Sequence, residues 1–204
     1  MLTIVDYGVG NLRSLVKMFE RIGVDVERTS DPNRIAEADK LILPGVGAFD
    51  AAITQLRVAE LEAPLTRSVV ERGVPVLGVC LGMQLLGHAS EEGSERGLGW
   101  IPGTTVRLPT RDDAGAVRRL PHMGWASVRA LRPNLLVGSD GRPRFYFVHS
   151  YHLQCTEPSH VLAHAEYGIR FAAAVHHDNV WGVQFHPEKS HQFGQAVLSN
   201  FARL

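Results

Sequence analysis

Cysteine is nearly absent from this chain: Cys80 and Cys155 are the only two in 204 residues. So few cysteines exclude a disulfide-stapled scaffold, and the chain is long enough to bury a sizeable core without staples. An excess of one charge is also missing. Twenty-one basic residues balance 21 acidic ones, so composition gives no support for a nucleic-acid or membrane partner. No stretch approaches the ~18 uninterrupted apolar residues of a membrane span. The first residues, Met1 to Asp6, have no basic segment followed by an apolar one; they begin at once with a strand pattern. This argues against a signal peptide and makes the cytoplasm the expected location. What is present is ordinary for a globular protein, at 45 % hydrophobic and 21 % charged residues. There is no repeat and no linker that demands a second domain, so one domain over residues 1–204 is expected.

Strand and helix patterns alternate in the first half. Leu2–Asp6, Val24–Arg28, Lys40–Leu43 and Val74–Val79 read as short strands. Leu12–Ile22 has helical spacing, with Leu12, Leu15, Val16, Phe19 and Ile22 on one face. Ala48–Leu56 and a stretch within Glu60–Arg72 also read as helices. Such alternation predicts an α/β protein with a parallel, doubly wound sheet flanked by helices. After Gly93 the texture changes. Trp100–Arg107, Met123–Val128, Phe145–Leu153, Val161–Tyr167, Phe171–Val175 and Val180–Phe185 read as strands of antiparallel hairpins laid against that core. Gln192–Leu204 reads as a closing helix, and Pro109–Arg119 as an exposed loop.

The strongest local signal is Gly78-Val79-Cys80-Leu81-Gly82, which lies between an apolar run and a helix start. It predicts a strand-to-helix elbow with cysteine at the apex and glycines leaving room around the sulfur. Free cysteine is only about 3 % thiolate at neutral pH. A helix N-terminus favours the anion, and backbone N–H groups there can hold an oxyanion. A second motif, Gly182 to Ser190, lies 106 residues downstream and contains His186-Pro187-Glu188. A thiolate nucleophile needs an imidazole base, and the imidazole needs a carboxylate to fix its tautomer. His186 and Glu188 are two residues apart, so on an extended chain both side chains leave the same face; Pro187 stiffens that arrangement. In parallel sheets the ligand site lies at the carboxyl ends of the strands. The Cys80 elbow, the loops Tyr7–Asn11 and Pro44–Gly47, and His186 all follow strands and are expected to converge there.

Together the Cys elbow, the Pro-Gly-x-Gly loop and the His-Pro-Glu stretch resemble the class I (triad) glutamine amidotransferases, whose two signature stretches stand here as Gly78–Gln84 and Phe185–Glu188. Further stretches are similar to the glutaminase-subunit family of imidazole glycerol phosphate synthase. They are Asp6–Asn11, Pro44–Phe49, Pro121–Trp125, Phe147–Tyr151 and His186–Ser190. Two positions depart from that family's pattern: Ala126 stands where Asn is usual, and His191 where Gly is common. The resemblance implies an amidotransferase-like (flavodoxin-like) fold and hydrolysis of L-glutamine by Cys80, His186 and Glu188. It implies oxyanion donors at Leu81 and at Val46 or Gly47, in a loop that reorients when the partner is occupied. It places Gln84 on the amino-acid end of glutamine, and Ser150 and Tyr151 on its carboxylate and amino group. The implied partner is a (β/α)8-barrel cyclase subunit, forming a heterodimer. That subunit converts phosphoribulosyl-formimino-AICAR phosphate to imidazole glycerol phosphate and AICAR. Asn11, Met123, Trp125 and Lys189 are the candidate interface residues. No cofactor or metal is implied.

Four other readings compete. Gly8-Val9-Gly10-Asn11-Leu12-Arg13 resembles the start of a dinucleotide-binding turn, but Arg13 stands where the third glycine belongs. An elbow-type cysteine peptidase would not need the His-Pro-Glu-Lys stretch. A catalytically dead interaction protein would not keep Cys80, His186 and Glu188. A glutaminase subunit serving a different synthase stays open, because a triad does not name the ammonia acceptor. His176 and His177 are adjacent on a strand, point to opposite faces and make poor co-ligands for a metal.

Overall fold

Residues 1–111, 115–134, 136, 137 and 143–204 are described by the structure, a computed structural model. Four segments of the first 80 residues form parallel strands: β1 (Leu2–Val5), β2 (Val26–Thr29), β3 (Lys40–Gly45) and β4 (Val76–Cys80). Every residue of β1 and β4 is buried. That is why these strands read as continuous apolar runs: helices cover both faces of the sheet. The period of two still sorts their side chains. Leu2, Ile4, Ile42, Leu77 and Val79 join one core with α1 (Leu12–Arg21) and α6 (His191–Arg203). Val5, Leu41, Leu43 and Val76 join a second core with α3 (Phe49–Val58) and α4 (Glu62–Thr66), which runs on into a π-helical turn over Arg67–Glu71.

Two short helices differ from the sequence expectation. Helix α2 (Pro32–Ala36) has no counterpart in it; the helix starts at Asp31, whose side chain accepts from the N–H of Asn33 at 2.9 Å. The helix after the elbow, α5, covers only Leu81–Leu85.

Later come β5 (Ala89–Ser90), β6 (Gly103–Arg107), β7 (His122–Ser127), β8 (Arg129–Ala130), β9 (Arg144–His149), β10 (Tyr151–Cys155), β11 (Val161–Tyr167), β12 (Ile169–His177) and β13 (Val180–Val183). The large mixed sheet has the order β2-β1-β3-β4-β13-β12-β11-β8. Strand β13 joins the expected antiparallel strands of the second half to the parallel core. It pairs parallel to β4, with Val183 opposite Val79, and antiparallel to β12. The later strands therefore extend the core sheet rather than only lying against it. Phe145–Leu153 is also two strands rather than one. The chain breaks at Ser150, so that β9 pairs with β7 while β10 pairs with β6. Of the expected loop Pro109–Arg119, residues 112–114 lie outside the described residues; the rest is largely exposed and carries one bridge between Arg111 and Val117. Among the described residues no helix is long and apolar enough to cross a membrane.

Candidate active site

Cys80 ends β4 with φ 56° and ψ −112°, a conformation that L-residues hold only under constraint from their surroundings. The constraint is the close approach of β3. Register places Gly45 opposite Cys80, and a Cβ on Gly82 would lie 1.9 Å from the Leu43 carbonyl oxygen. Only glycine at 82 lets the first turn of α5 fold back against β3. This presents the sulfur at the carboxyl edge of the sheet and leaves the Leu81 N–H without a partner within the helix.

His186 arrives from β13, the other neighbour of β4. Its backbone is held at both ends. The His186 N–H donates to the Tyr146 carbonyl at 2.9 Å, and its carbonyl accepts from Ser190 Oγ at 2.6 Å. The same Oγ accepts from the Tyr146 N–H at 3.0 Å. His186 Nδ1 donates to Glu188 Oε1 at 2.9 Å, with both side chains almost wholly buried. The carboxylate can only accept, so the proton of the neutral ring sits on Nδ1 and Nε2 is left as the basic nitrogen. Nε2 is buried without a hydrogen bond at rest, as is Glu188 Oε2. Burial disfavours the charged ring, but Cys80 and Glu188 outweigh it and push His186 up to about 10.

Cys80, His186, Val46, Gly47, Leu81, Gln84, Ser150 and Tyr151 line a single cavity of about 290 Å³. Eight of the residues singled out in the sequence thus meet in one place; Glu188 stands behind His186. The Val46–Gly47 loop bounds the cavity, with Val46 43 % exposed and Gly47 at φ +95°. Gln84 also has partners within the protein. Its Nε2 donates to the Tyr151 carbonyl at 2.9 Å and to Gln184 Oε1 at 3.1 Å. Its amide hydrogens are therefore committed to the protein, and its carbonyl oxygen is what it can offer a ligand. The Tyr151 carbonyl is likewise committed, since it also accepts from His149 Nδ1 at 2.8 Å.

Several residues at the site carry no role in the sequence reading. Glu92 lines the cavity and accepts from the Phe49 N–H at 2.8 Å; its segment is fastened by Asp50, which accepts from the N–H groups of Ser94 and Glu95. In the sequence it is one of several glutamates in a polar run. His149 lines the cavity, and its Nε2 lies 3.3 Å from His122 Nδ1. With Nδ1–H given to Tyr151, His149 Nε2 accepts, so His122 is the donor. Burial holds both rings neutral, lowering His122 to about 4 and His149 to about 3. Tyr7 and Gln184 are buried beside this site. The tight packing of Pro-Gly and Gln-Phe-His segments gives no local cue to their partners.

The candidate interface residues share features but not one contact. Met123 and Trp125 point outward from β7, at 63 % and 38 % exposure, between inward-facing neighbours. Lys189 Nζ lies 5.6 Å over the Tyr146 ring, and Trp125 packs edge-on to the same ring. Asn11 opens α1, and α1 packs on the Pro187–Lys189 turn. His176 and His177 take separate partners, the Asp178 carbonyl and the Trp100 carbonyl.

A mixed α/β sheet bearing a cysteine elbow beside a His–Glu pair is the architecture of a class-I glutamine amidotransferase, and the family model described as Glutamine amidotransferase class-I matches residues 3–204. A solved structure titled "Crystal structure of glutamine amidotransferase" superposes with TM-score 0.75 at 19 % identity, covering 99 % of each chain; at that identity it bears on the fold alone. Imidazole glycerol phosphate synthase subunit HisH 2 of Pseudomonas aeruginosa is 48 % identical over 100 % of both chains. Imidazole glycerol phosphate synthase subunit HisH of Salinibacter ruber is 49 % identical, over 100 % of this chain and 94 % of that protein. The chain belongs to the class-I glutamine amidotransferases, and within them to the HisH subunits of imidazole glycerol phosphate synthase.

Proposed function

We propose that this chain, acting as one unit over residues 1–204, hydrolyses L-glutamine to glutamate and ammonia and passes the ammonia to a cyclase subunit in histidine biosynthesis. The observation that carries this reading is the buried Cys80–His186–Glu188 set at the floor of a cavity closed on one side by the Val46–Gly47 loop. Cys80 attacks the side-chain carboxamide, forming an S–C bond while the carbonyl electron pair moves onto oxygen. N–H groups of Leu81 and of the Val46–Gly47 loop receive that oxyanion, each such donor being worth about 3 kcal/mol. His186 takes the thiol proton and delivers it to the departing nitrogen, which leaves as ammonia. Water then attacks the thioester, His186 accepts its proton, and the sulfur departs to give glutamate. Glu188 keeps the imidazole oriented and favours its charged form. The Gln84 carbonyl and Glu92 suit the ammonium of glutamine, and backbone at Ser150–Tyr151 suits its carboxylate.

Ammonia released into water would be protonated, so an enclosed route to the acceptor is required. The exposed Met123 and Trp125, with Lys189 beside them, form the proposed docking edge for a heterodimer. A free catalytic thiol fits the reducing cytoplasm. The test is glutaminase activity of the purified chain, alone and then with the candidate cyclase and its nucleotide ligand. Strong stimulation by the liganded cyclase is expected. Activity indifferent to that cyclase would move the chain to another synthase.

A further inference from the structure

Gln184 is wholly buried, and its Nε2 lies 3.8 Å from the Cys80 sulfur. A buried amide is costly unless its hydrogens and carbonyl find partners, and a position that only needed filling behind a nucleophile would be better served by leucine or methionine. Here both ends of the amide are engaged. The sulfur takes the nitrogen, and the Gln84 Nε2 donates to the oxygen at 3.1 Å.

The polarity of this chain of contacts is fixed from one end. The Tyr151 carbonyl can only accept, so the Gln84 atom 2.9 Å from it is the nitrogen. A second hydrogen of that nitrogen reaches Gln184, which must therefore present its oxygen to Gln84 and its NH2 to the sulfur. The backbone is equally fixed, since the Gln184 N–H donates to the Ala173 carbonyl at 3.0 Å. Gln184 and His186 are two residues apart on the stretch leaving β13, and both side chains reach the Cys80 side.

The other hydrogen-bond neighbour of the sulfur behaves in the opposite way. The Val148 carbonyl, at 3.9 Å, can accept from a thiol but only repels a thiolate. An amide N–H gives little to a neutral thiol and much more to the anion. The Gln184 contact therefore grows in strength as the sulfur gains charge. That happens when His186 takes its proton, and again when the sulfur leaves the thioester.

We infer that Gln184 is a catalytic hydrogen-bond donor to the Cys80 thiolate, and that Gln84 is a positioning residue that orients it from the wall of the glutamine cavity. This rests on Cys80 being the nucleophile of the proposed glutaminase. The Gln84–Gln184 contact also ties the segment at Tyr151, where substrate is proposed to sit, to the sulfur that attacks it.

The test is the pH dependence of iodoacetamide alkylation at Cys80, followed by mass spectrometry of its peptide, in the full chain bound to its cyclase. Around the sulfur the ionisable groups are His186, Tyr7 from the β1–α1 loop, and His149 and Glu92 across the cavity; substitution at 184 alters none of them. Gln184→Met keeps the size and removes the donor. It should raise the alkylation midpoint by about one pH unit, the effect of losing one charge-assisted hydrogen bond, and lower kcat about tenfold with KM little changed. Gln184→Glu, which sets an acceptor against the sulfur, should raise the midpoint further. A wild-type midpoint in a Gln184→Met protein that melts normally would overturn the inference. If both variants fail to fold, the wild-type protein decides: the Gln184 side-chain amide resonance should move with the Cys80 titration and stay fixed in Cys80→Ala. A resonance indifferent to that titration would overturn it as well. Alkylation that titrates as expected in a protein with no glutamine turnover would instead defeat the glutaminase reading and leave the sulfur contact standing.

Discussion

The hydroxyl of Tyr7 donates to the carbonyl of Pro44 at 2.5 Å, and both groups are buried. This bond joins the β1–α1 loop to the first residue of the Pro44–Gly47 segment, on whose N–H groups oxyanion stabilisation is proposed to depend. Gly10 closes the other side, since a Cβ there would lie 2.9 Å from the Pro44 side chain. Burial, and next the charge of Cys80, hold the Tyr7 phenol well above its usual range, so it stays a donor at every working pH. Tyr7→Phe leaves a buried carbonyl without its donor. It should cost about 1–3 kcal/mol of stability. It should also lower kcat more than it raises KM. Thermal melts and steady-state glutaminase kinetics check both, and equal losses in kcat and KM would detach Tyr7 from the oxyanion loop.

Strain at the elbow can be measured apart from catalysis. Cys80→Ala and Cys80→Gly both remove the sulfur and should both abolish glutamine hydrolysis. Only glycine adopts φ 56°, ψ −112° without penalty. Cys80→Gly should therefore be more stable than Cys80→Ala by about 1 kcal/mol or more. Urea midpoints of the two variants decide it; an alanine variant as stable as the glycine one would show that the elbow stores no strain.

The histidine pair sets a pH dependence of stability. His122 and His149 are kept neutral by burial, at about 4 and about 3, while an unfolded chain takes up protons near 6.5. Their contribution is therefore complete above about pH 6.5 and is lost as pH falls towards 4. A pKa difference of one between the folded and unfolded chain is worth about 1.4 kcal/mol, so several kcal/mol are at stake by pH 4. His152, His164 and His176, also lowered by burial, act in the same direction. His186, raised to about 10, acts the other way and gives up stability only as pH rises above about 6.5, so melting temperature should fall from about pH 6 to pH 4. His122→Phe, which keeps the stacking on Phe147 and Tyr167, should fall less steeply. An unchanged slope would remove His122 from this account.

At the proposed docking edge, Trp125 stacks on His191 with ring centroids 5.3 Å apart and an interplanar angle of 3°. His191 also holds φ 48°, at a position where glycine is common in the family it resembles. His191→Gly relieves the backbone and loses the stack. It should keep or raise stability of the isolated chain while weakening binding to the cyclase several-fold. Trp125→Ala should weaken binding more, by about 2 kcal/mol. Lys189→Ala should chiefly reduce stimulation of glutaminase by the liganded cyclase. Calorimetric titration with the cyclase separates binding from stimulation; unaltered affinity in Trp125→Ala would place the interface elsewhere.

Local chemistry is what the sequence determined by itself. A Gly-x-Cys-x-Gly stretch after an apolar run can hardly be anything but a tight turn, because glycine spacing and apolar periodicity act through neighbouring φ/ψ angles. The same holds for the parallel strands of the first half and for the loops following them, but not for the extended chain expected at His186-Pro187-Glu188: Pro187–Lys189 forms a 3-10 turn, and Glu188 reaches His186 Nδ1 from that turn. Burial on both faces made β1, β3 and β4 largely apolar runs, which are legible without a partner. What tertiary structure decided is pairing over long separations. Nothing between Val180 and Val183 says that this strand lies parallel to β4, and that pairing alone brings His186 to Cys80. The break at Ser150 is set by two different sheets claiming the chain on either side, not by a local turn signal. Gln184, 100 residues from Gln84, looks like an ordinary polar position until the sheet order makes the two neighbours. Their partners follow from which buried donors and acceptors the fold leaves facing each other, and that is a property of the assembled sheet rather than of any segment.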